Sequence, residues 1–311
     1  MNGTQPSNCY LNPTAEKMGK TFAYCLIILV SLTGNTAIEI IVYKMKTMRK
    51  PINFLVVNMA MSDLLFPIFV IPQDIQELYI NSWLISGPLG QALCKLDSFL
   101  PGVSLFVSIQ SLVLIAVDRF GAVVFPLRSP LISSKLCPFF ILATWIIAIA
   151  VYSPYLFAFK LFEYPGGLVC WLGWKEVFGE TTSSVYYTVS ILIIIDLLPL
   201  VFTAVLYITI YIKLKSQKMP GEQSANAGKQ RQQRERNVLK MAIAIVLGFA
   251  VCWLPYVIFW FLRIFSSDIW SCGFQYFESF ASLMVRINCA INPCICLIFS
   301  RNYRIGLKHL L

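Results

Sequence analysis

Charge is what this 311-residue sequence has least of: Asp, Glu, Lys and Arg together make 13% of it, against about 25% in soluble globular domains. With 58% apolar residues and a mean hydropathy of +0.70, the chain cannot clothe a water-facing surface. The first twenty residues are polar and have no apolar core before a small-residue cleavage site. No cleaved signal peptide is expected, and the first apolar segment must direct insertion. Histidine occurs once, as His309 near the C-terminal end. There are no paired carboxylates beside a nucleophile and no Gly-rich phosphate loop, so an enzyme is not expected. The two halves are not alike, which argues against a transporter built from inverted repeats. The apolar runs are continuous rather than alternating, which argues against a β-barrel.

What is present is a set of seven long apolar stretches, over about 21–43, 52–77, 92–125, 136–159, 184–213, 237–264 and 273–298. A hydrocarbon core of about 30 Å needs about 20 helical residues per crossing, and each stretch meets that length. The fold expected is an all-α membrane protein, a seven-transmembrane helix bundle with the N-terminus outside. Residues 1–20 form an extracellular segment, 21–299 the bundle, and 300–311 a short amphipathic cytoplasmic helix. That helix is read from Ile305, Leu307 and Leu310 set against Arg301, Arg304 and Lys308, and would lie on membrane lipid. The stretch 215–235, rich in Gln, Gly, Lys and Arg, reads as a solvated loop between spans five and six.

The orientation rests on Lys and Arg. With the N-terminus outside, eighteen of the 25 fall on the inner side, among them Lys44, Lys46, Arg49, Lys213, Lys215 and Arg304. This asymmetry is the usual sign of cytoplasmic loops. It accounts for the net charge of +10, which in a soluble chain would point to nucleic acid; no nucleic-acid partner is expected. Asn2-Gly3-Thr4 is a glycosylation sequon on the outer side. No Ser or Thr follows Ser300 and no Cys follows Cys296, so phosphorylation or palmitoylation beyond span seven is not expected within this sequence.

Polar groups inside spans are expensive and ask for a reason. Span one carries Gly34-Asn35 and Glu39, span two Asp63, span three Ser108 and Gln110, and span seven Asn288 and Asn292. Asp63 stands near mid-membrane, where an ionised carboxylate needs a cation or several donors.

These residues fall into a known order. Span one has Gly34-Asn35; span two the Leu-rich segment with Asp63; span three begins at Cys94 and ends at Asp118-Arg119-Phe120. Span four has Trp145 and Pro154, span five Pro199 and Tyr207, span six Cys252-Trp253-Leu254-Pro255, and span seven Asn292-Pro293-Cys294-Ile295-Cys296. The chain resembles the rhodopsin-like (class A) G-protein-coupled receptors across all seven spans, and its outer face resembles the peptide receptors among them. Two positions depart from the pattern: the family usually has Asp-Arg-Tyr where Phe120 stands, and a Tyr where Cys296 stands.

The resemblance implies a multi-pass plasma-membrane receptor that binds an extracellular ligand and activates a heterotrimeric G protein. It implies a Cys94–Cys170 disulfide holding the loop between spans four and five; Cys9 and Cys272, both on the outer side, are candidates for a second bridge. At the inner end it implies a switch made of Asp118, Arg119, Glu235, Tyr207, Asn292 and Pro293. There an Arg119–Glu235 pair holds the resting state, the alternative being an exposed ion pair worth about 0–1 kcal/mol. Pro126-Leu127 fits the family's G-protein contact. Ile109, Pro199 and Phe249, with Trp253 and Pro255, take the positions of a connector between ligand pocket and G-protein cleft; ordinary apolar packing is the alternative. Asp63, Ser108, Asn288 and Asn292 take those of an allosteric sodium site, the alternative being a hydrated network around a protonated Asp63. No other cofactor is expected. Cys296 leaves Tyr207 without its usual hydroxyl partner and puts efficient coupling in question.

The ligand is less well specified. Arg286 stands where light-sensing relatives place the retinal lysine, and arginine cannot form a Schiff base, so retinal is disfavoured. Pro101 stands where amine receptors place a carboxylate, so an amine is disfavoured too. Arg286 needs a partner: Asp74, Asp97, Glu278 or an anionic ligand group. Asp74, Asp97, Pro101, Arg263, Glu278 and Arg286 are the candidate pocket residues. The outer surface is mixed in charge and rich in aromatics, among them Trp83, Trp171, Trp174 and Tyr276. Such rims suit short peptides, and residues 155–183 are long enough for a β-hairpin around Cys170. A neuropeptide or other short peptide is favoured, with a lipid or small organic ligand as the alternative. The rival class is a transporter, channel or intramembrane enzyme, weakened by the lack of repeats and by Asp63 being read as the single buried acid.

Overall fold

A computed structural model describes residues 13–80, 82–125, 131–179, 181–216, 225–265 and 271–310, with backbone alone at 181–183, 216, 225–238 and 265. Seven segments are long and apolar enough to cross a membrane. Span one is α1 (Pro13–Lys44). Span two is α2 (Pro51–Asp63), a π-helical turn (Phe66–Val70) and α3 (Ile71–Tyr79). Span three is α4 (Gly87–Val124) and span four α5 (Cys137–Ala158). Strands β1 (Phe159–Tyr164) and β2 (Gly167–Leu172) follow, then the short α6 (Trp174–Phe178). Span five is α7 (Thr181–Ser190), a second π-helical stretch (Ile191–Leu197) and α8 (Leu198–Ser216). Spans six and seven are α9 (Ala225–Phe265) and α10 (Cys272–Phe299), and α11 (Arg301–Leu310) ends the described chain.

The order and type of elements match the sequence reading, but two boundaries move. Helix α1 starts at Pro13, so residues 13–20 are helical rather than part of a separate segment. Helix α9 starts at Ala225, so the second half of the expected 215–235 loop has helical backbone. Gln, Arg, Glu and Lys are polar but good helix formers, and Ala is the best of all; polarity reported solvation there and said nothing against helix.

Leucines and isoleucines such as Leu142, Ile146 and Ile208 are more than half exposed, as lipid-facing residues are, while the interior holds polar residues such as Asn35, Asn58 and Ser111 beside its large apolar ones. Asn35 Nδ2 and Ser31 Oγ both donate to the Cys289 carbonyl (2.9 and 3.1 Å), joining spans one and seven. Asn58 Nδ2 donates to Ser111 Oγ (2.9 Å) and Thr144 Oγ1 (3.3 Å), and Trp145 Nε1 donates to Asn58 Oδ1 (2.8 Å), so one amide joins spans two, three and four. Inside a bilayer, where lipid is as apolar as leucine, such links and close small-residue packing replace the hydrophobic drive, at about 0.6 kcal/mol per bond. Gly34 shows the packing: a Cβ there would stand 2.7 Å from Pro293 Cβ.

Helix α11 folds back against span one. Tyr303 is buried, and a Cβ on Gly306 would meet Ile41 Cγ2 at 2.5 Å. Burial, and secondarily the Cys296 thiol, hold the Tyr303 hydroxyl well above the usual phenol pKa.

Candidate functional site

The two strands form the hairpin expected around Cys170, with Leu161 opposite Cys170 and Tyr164 opposite Gly167. Gly167 has φ +126°, and a Cβ on it would come within 2.8 Å of Ser82 Cβ, so only glycine suits the turn. Cys94 and Cys170 are disulfide-bonded, which ties the hairpin to the head of span three. Polar contacts support the same placement: Leu161 N donates to Gln91 Oε1 (3.0 Å) and Trp83 N to the Leu168 carbonyl (2.7 Å). Cys272 is also disulfide-bonded; Cys9 and Asn2 lie outside the described residues.

Below the hairpin a cavity of about 430 Å³ opens between spans two to seven. Its size lies within the usual range for ligand sites, about 300–1,000 Å³. Of the expected pocket residues, Asp74, Asp97, Pro101 and Arg286 line it. Glu278 does not; it borders a neighbouring recess with Lys20, Tyr24 and Arg286. Arg263 is absent from the cavity wall and faces Glu278 instead, at 3.6 Å and about half exposed. The long Arg263 side chain lies over the rings of Phe259 and Trp260, which draws it away from the cavity.

Among its candidate partners, Arg286 takes Asp74. Nε donates to Asp74 Oδ2 (2.8 Å), Nη2 to Oδ1 (2.6 Å), and Nη1 to the Ser282 carbonyl (2.9 Å). The π-helical turn at Phe66–Val70 precedes Asp74. Pro67 and Pro72 each lack an N–H, which breaks the regular ladder and resets the face that α3 turns inward.

One cavity residue escaped the sequence reading. Asp196 is 6% exposed and lines the cavity from span five, so Asp63 is not the only buried acid. The signal was present: Asp196 is the sole acid in the run Ile191–Pro199, three residues before the proline. Pro199 cannot donate to the Ile195 carbonyl, and the helix there widens into the π-helical stretch Ile191–Leu197, which carries Asp196 inward.

At mid-bundle, Asp63 is 1% exposed. Asn292 Nδ2 donates to its Oδ2 (2.7 Å) and Ser108 Oγ to its Oδ1 (3.3 Å), while Ser62 Oγ and Ser108 Oγ are 3.0 Å apart. Asn288 is buried nearby in sequence on the same helix. The side-chain oxygens of Asn288 and Asn292 are buried and have no hydrogen-bond partner among the described residues. Between this cluster and the cavity, Ile109 and Phe249 are fully buried. Phe249 stacks on Trp253 at 5.9 Å; Pro255 lies inside α9 two residues after Trp253, and Pro199 is half-buried.

At the opposite end of span three from Cys94, Arg119 Nε and Nη2 donate to Asp118 Oδ2 (3.2 and 2.5 Å). The Glu235 side chain lies outside the described residues, as do Pro126 and Leu127. Tyr207 is buried, and its hydroxyl has no partner among the described residues. Cys296 is buried as a free thiol, and Pro293 is packed against span one.

A family model described as "7 transmembrane receptor (rhodopsin family)" matches residues 34–295. The chain belongs to this family. Its relatives include the substance-P receptor of Mus musculus, 29% identical over 98% of this chain and 74% of its own length. The substance-K receptor of Homo sapiens is 30% identical over 92% and 71%, and a QRFP-like peptide receptor of Branchiostoma floridae 33% identical over 79% and 64%. A rhodopsin-family receptor is a multi-pass plasma-membrane protein and not an enzyme, so the composition and the absence of catalytic constellations have one explanation. Within the family pattern Phe120 and Cys296 remain departures.

Proposed function

We propose that the chain is a receptor for an extracellular peptide that activates a heterotrimeric G protein. The observation that carries this is the cavity beneath the disulfide-tethered hairpin, with a charged and aromatic wall that includes Trp253, itself stacked on the buried Phe249. Relatives named for substance P, substance K and a QRFP-like peptide support the ligand class. The Lys and Arg asymmetry supports an N-terminus outside and a C-terminus inside. A peptide bound in the cavity acts by its higher affinity for one arrangement of the Phe249–Trp253 column. Glu235 restrains Arg119 in the resting arrangement, and release opens the Arg119 end to the G protein.

Asp63, Ser108, Asn288 and Asn292 would hold a sodium ion. The donors fit: all are short oxygen-bearing side chains, the type a hard cation takes, and two of the oxygens are buried without a partner. A bound cation supplies the countercharge that an ionised Asp63 lacks. Asn2 is the proposed glycosylation site and Cys9–Cys272 the proposed second bridge.

The test is nucleotide exchange on a mixed panel of G proteins, in membranes from expressing cells challenged with fractionated peptide extracts. Exchange that needs both receptor and a protease-sensitive fraction supports the proposal. Activation only by protease-resistant lipid or small organic fractions overturns the ligand class, and ion flux without exchange overturns the receptor reading.

A further inference from the structure

The cavity wall has an uneven charge inventory. It contains three acids, Asp74, Asp97 and Asp196, and one base, Arg286. Arg286 is spent: three of its nitrogens donate, two to Asp74 and one to a backbone carbonyl. A ligand anion would have to displace a bidentate pair, so this site does not select negative charge. Asp74 is spent in the same contact. That leaves two carboxylates, each with a buried Oδ1 that has no hydrogen-bond partner among the described residues. Asp97 stands on span three and also borders the smaller recess under the hairpin. Asp196 stands on span five, 6% exposed, delivered by the π-helical stretch ahead of Pro199. Among the described residues, no Lys, His or second Arg shares the wall.

A lone acid in a membrane bundle is costly and marks a site for a cation. Its surroundings favour a cation as well. Trp253, Tyr256 and Tyr155 line the same cavity, and the faces of such rings attract guanidinium and ammonium groups. The buried Tyr152 hydroxyl, also without a partner among the described residues, adds an oxygen to the Asp196 side.

We propose that Asp196 recognises a basic group on the ligand, a guanidinium or an ammonium. This rests on reading the cavity as the ligand site of a receptor. It also revises the expectation drawn from Pro101: a cation is recognised here, but from span five rather than from the Pro101 position on span three.

Two experiments test it, one of them without a ligand. Thr188, which lines the cavity two turns before Asp196, is replaced by Cys. Its modification by 2-(trimethylammonium)ethyl and by 2-sulfonatoethyl methanethiosulfonate is timed on the intact receptor, with the parental cysteines as background. Relative to a free thiol in solution, the cationic reagent should be favoured about tenfold or more, and Asp196→Asn should cut that preference at least about threefold. A preference within about twofold of the free thiol, or one that Asp196→Asn leaves unchanged, overturns the proposal.

The second experiment uses amidated tetrapeptide pools with or without one Arg or Lys, read by nucleotide exchange. Activity should concentrate in the basic pools. Replacing the active Arg by citrulline should lower potency about 100-fold on the parent receptor and less than about threefold on Asp196→Asn. Equal citrulline losses on both receptors overturn the proposal, as does equal activity of the neutral pools. Activation by organic amines with every peptide pool silent overturns the peptide reading alone, and supports the cation site if Asp196→Asn abolishes that response.

Discussion

The pair formed by Arg286 and Asp74 offers a quantitative test of the structure. It joins spans seven and two through two bonds of 2.6 and 2.8 Å, with the side chains only 18% and 15% exposed. Removing one partner of such a buried pair leaves an uncompensated charge and costs about 3–5 kcal/mol. Arg286→Met keeps the bulk of the stem and strands Asp74. Asp74→Asn strands a guanidinium that keeps only its bond to the Ser282 carbonyl. The lower end of the range applies to both, because the pair is not fully buried: about 3 kcal/mol each. The double variant Asp74→Asn/Arg286→Met strands no charge, and it should lose about 3 kcal/mol rather than the sum, a coupling of about 3 kcal/mol. At about 2 °C per kcal/mol for a chain of this size, each single variant melts roughly 6 °C below the parent and the double variant no lower. The assay is the melting midpoint of purified receptor in one detergent, without ligand, since both residues line the cavity. A double variant that melts about 12 °C lower, or single variants within about 1 °C of the parent, would refute the pairing.

Three further outcomes follow from separate parts of the molecule. Gly34→Ala places a methyl 2.7 Å from the rigid ring of Pro293, so it should cost about 1–3 kcal/mol in the same melting assay, whereas Gly19→Ala, which meets nothing within 4 Å, should cost nothing. Glu235→Gln should raise basal nucleotide exchange at equal surface expression, and an unchanged basal rate would count against its restraint of Arg119. Sodium should weaken agonist binding to parent membranes and have no effect on Asp63→Asn, with potassium or choline as the control ion; sodium sensitivity that survives the substitution would remove Asp63 from the site.

Most of the fold was legible because a bilayer imposes a single strong rule. Every crossing must be long, apolar and internally bonded, so runs such as those around Leu142 or Ile208 declare themselves. The places where the reading slipped are those where that rule does not reach. Residues 13–20 and 225–235 lie at span ends, where length and hydropathy no longer decide and helix propensity does. The hairpin was readable from the length of residues 155–183 around Cys170; the role of Gly167, whose positive φ makes the turn, became visible only in the structure.

The site was legible where chemistry is local and obscure where it depends on rotation about a helix axis. Asp63 ends the regular helix Pro51–Asp63, ahead of the π-helical turn, so its face follows from simple counting, and the structure brings Ser108 and Asn292 to it. Arg286 had three acids within reach on paper; choosing Asp74 required the π-helical turn at Phe66–Val70, whose extra residue per turn shifts every later side chain. Asp196 was hidden by the same device. In an ideal α-helix its face is set by counting, but the carbonyl left without a donor by Pro199 opens the ladder and changes the count. Both devices begin with prolines visible in the sequence, and both turn an acid toward one cavity. The two acids then diverge in what they meet among the described residues: Asp74 pairs with Arg286, and Asp196 Oδ1 has no partner. A bundle that holds the second arrangement carries a desolvation cost that a positively charged occupant would offset.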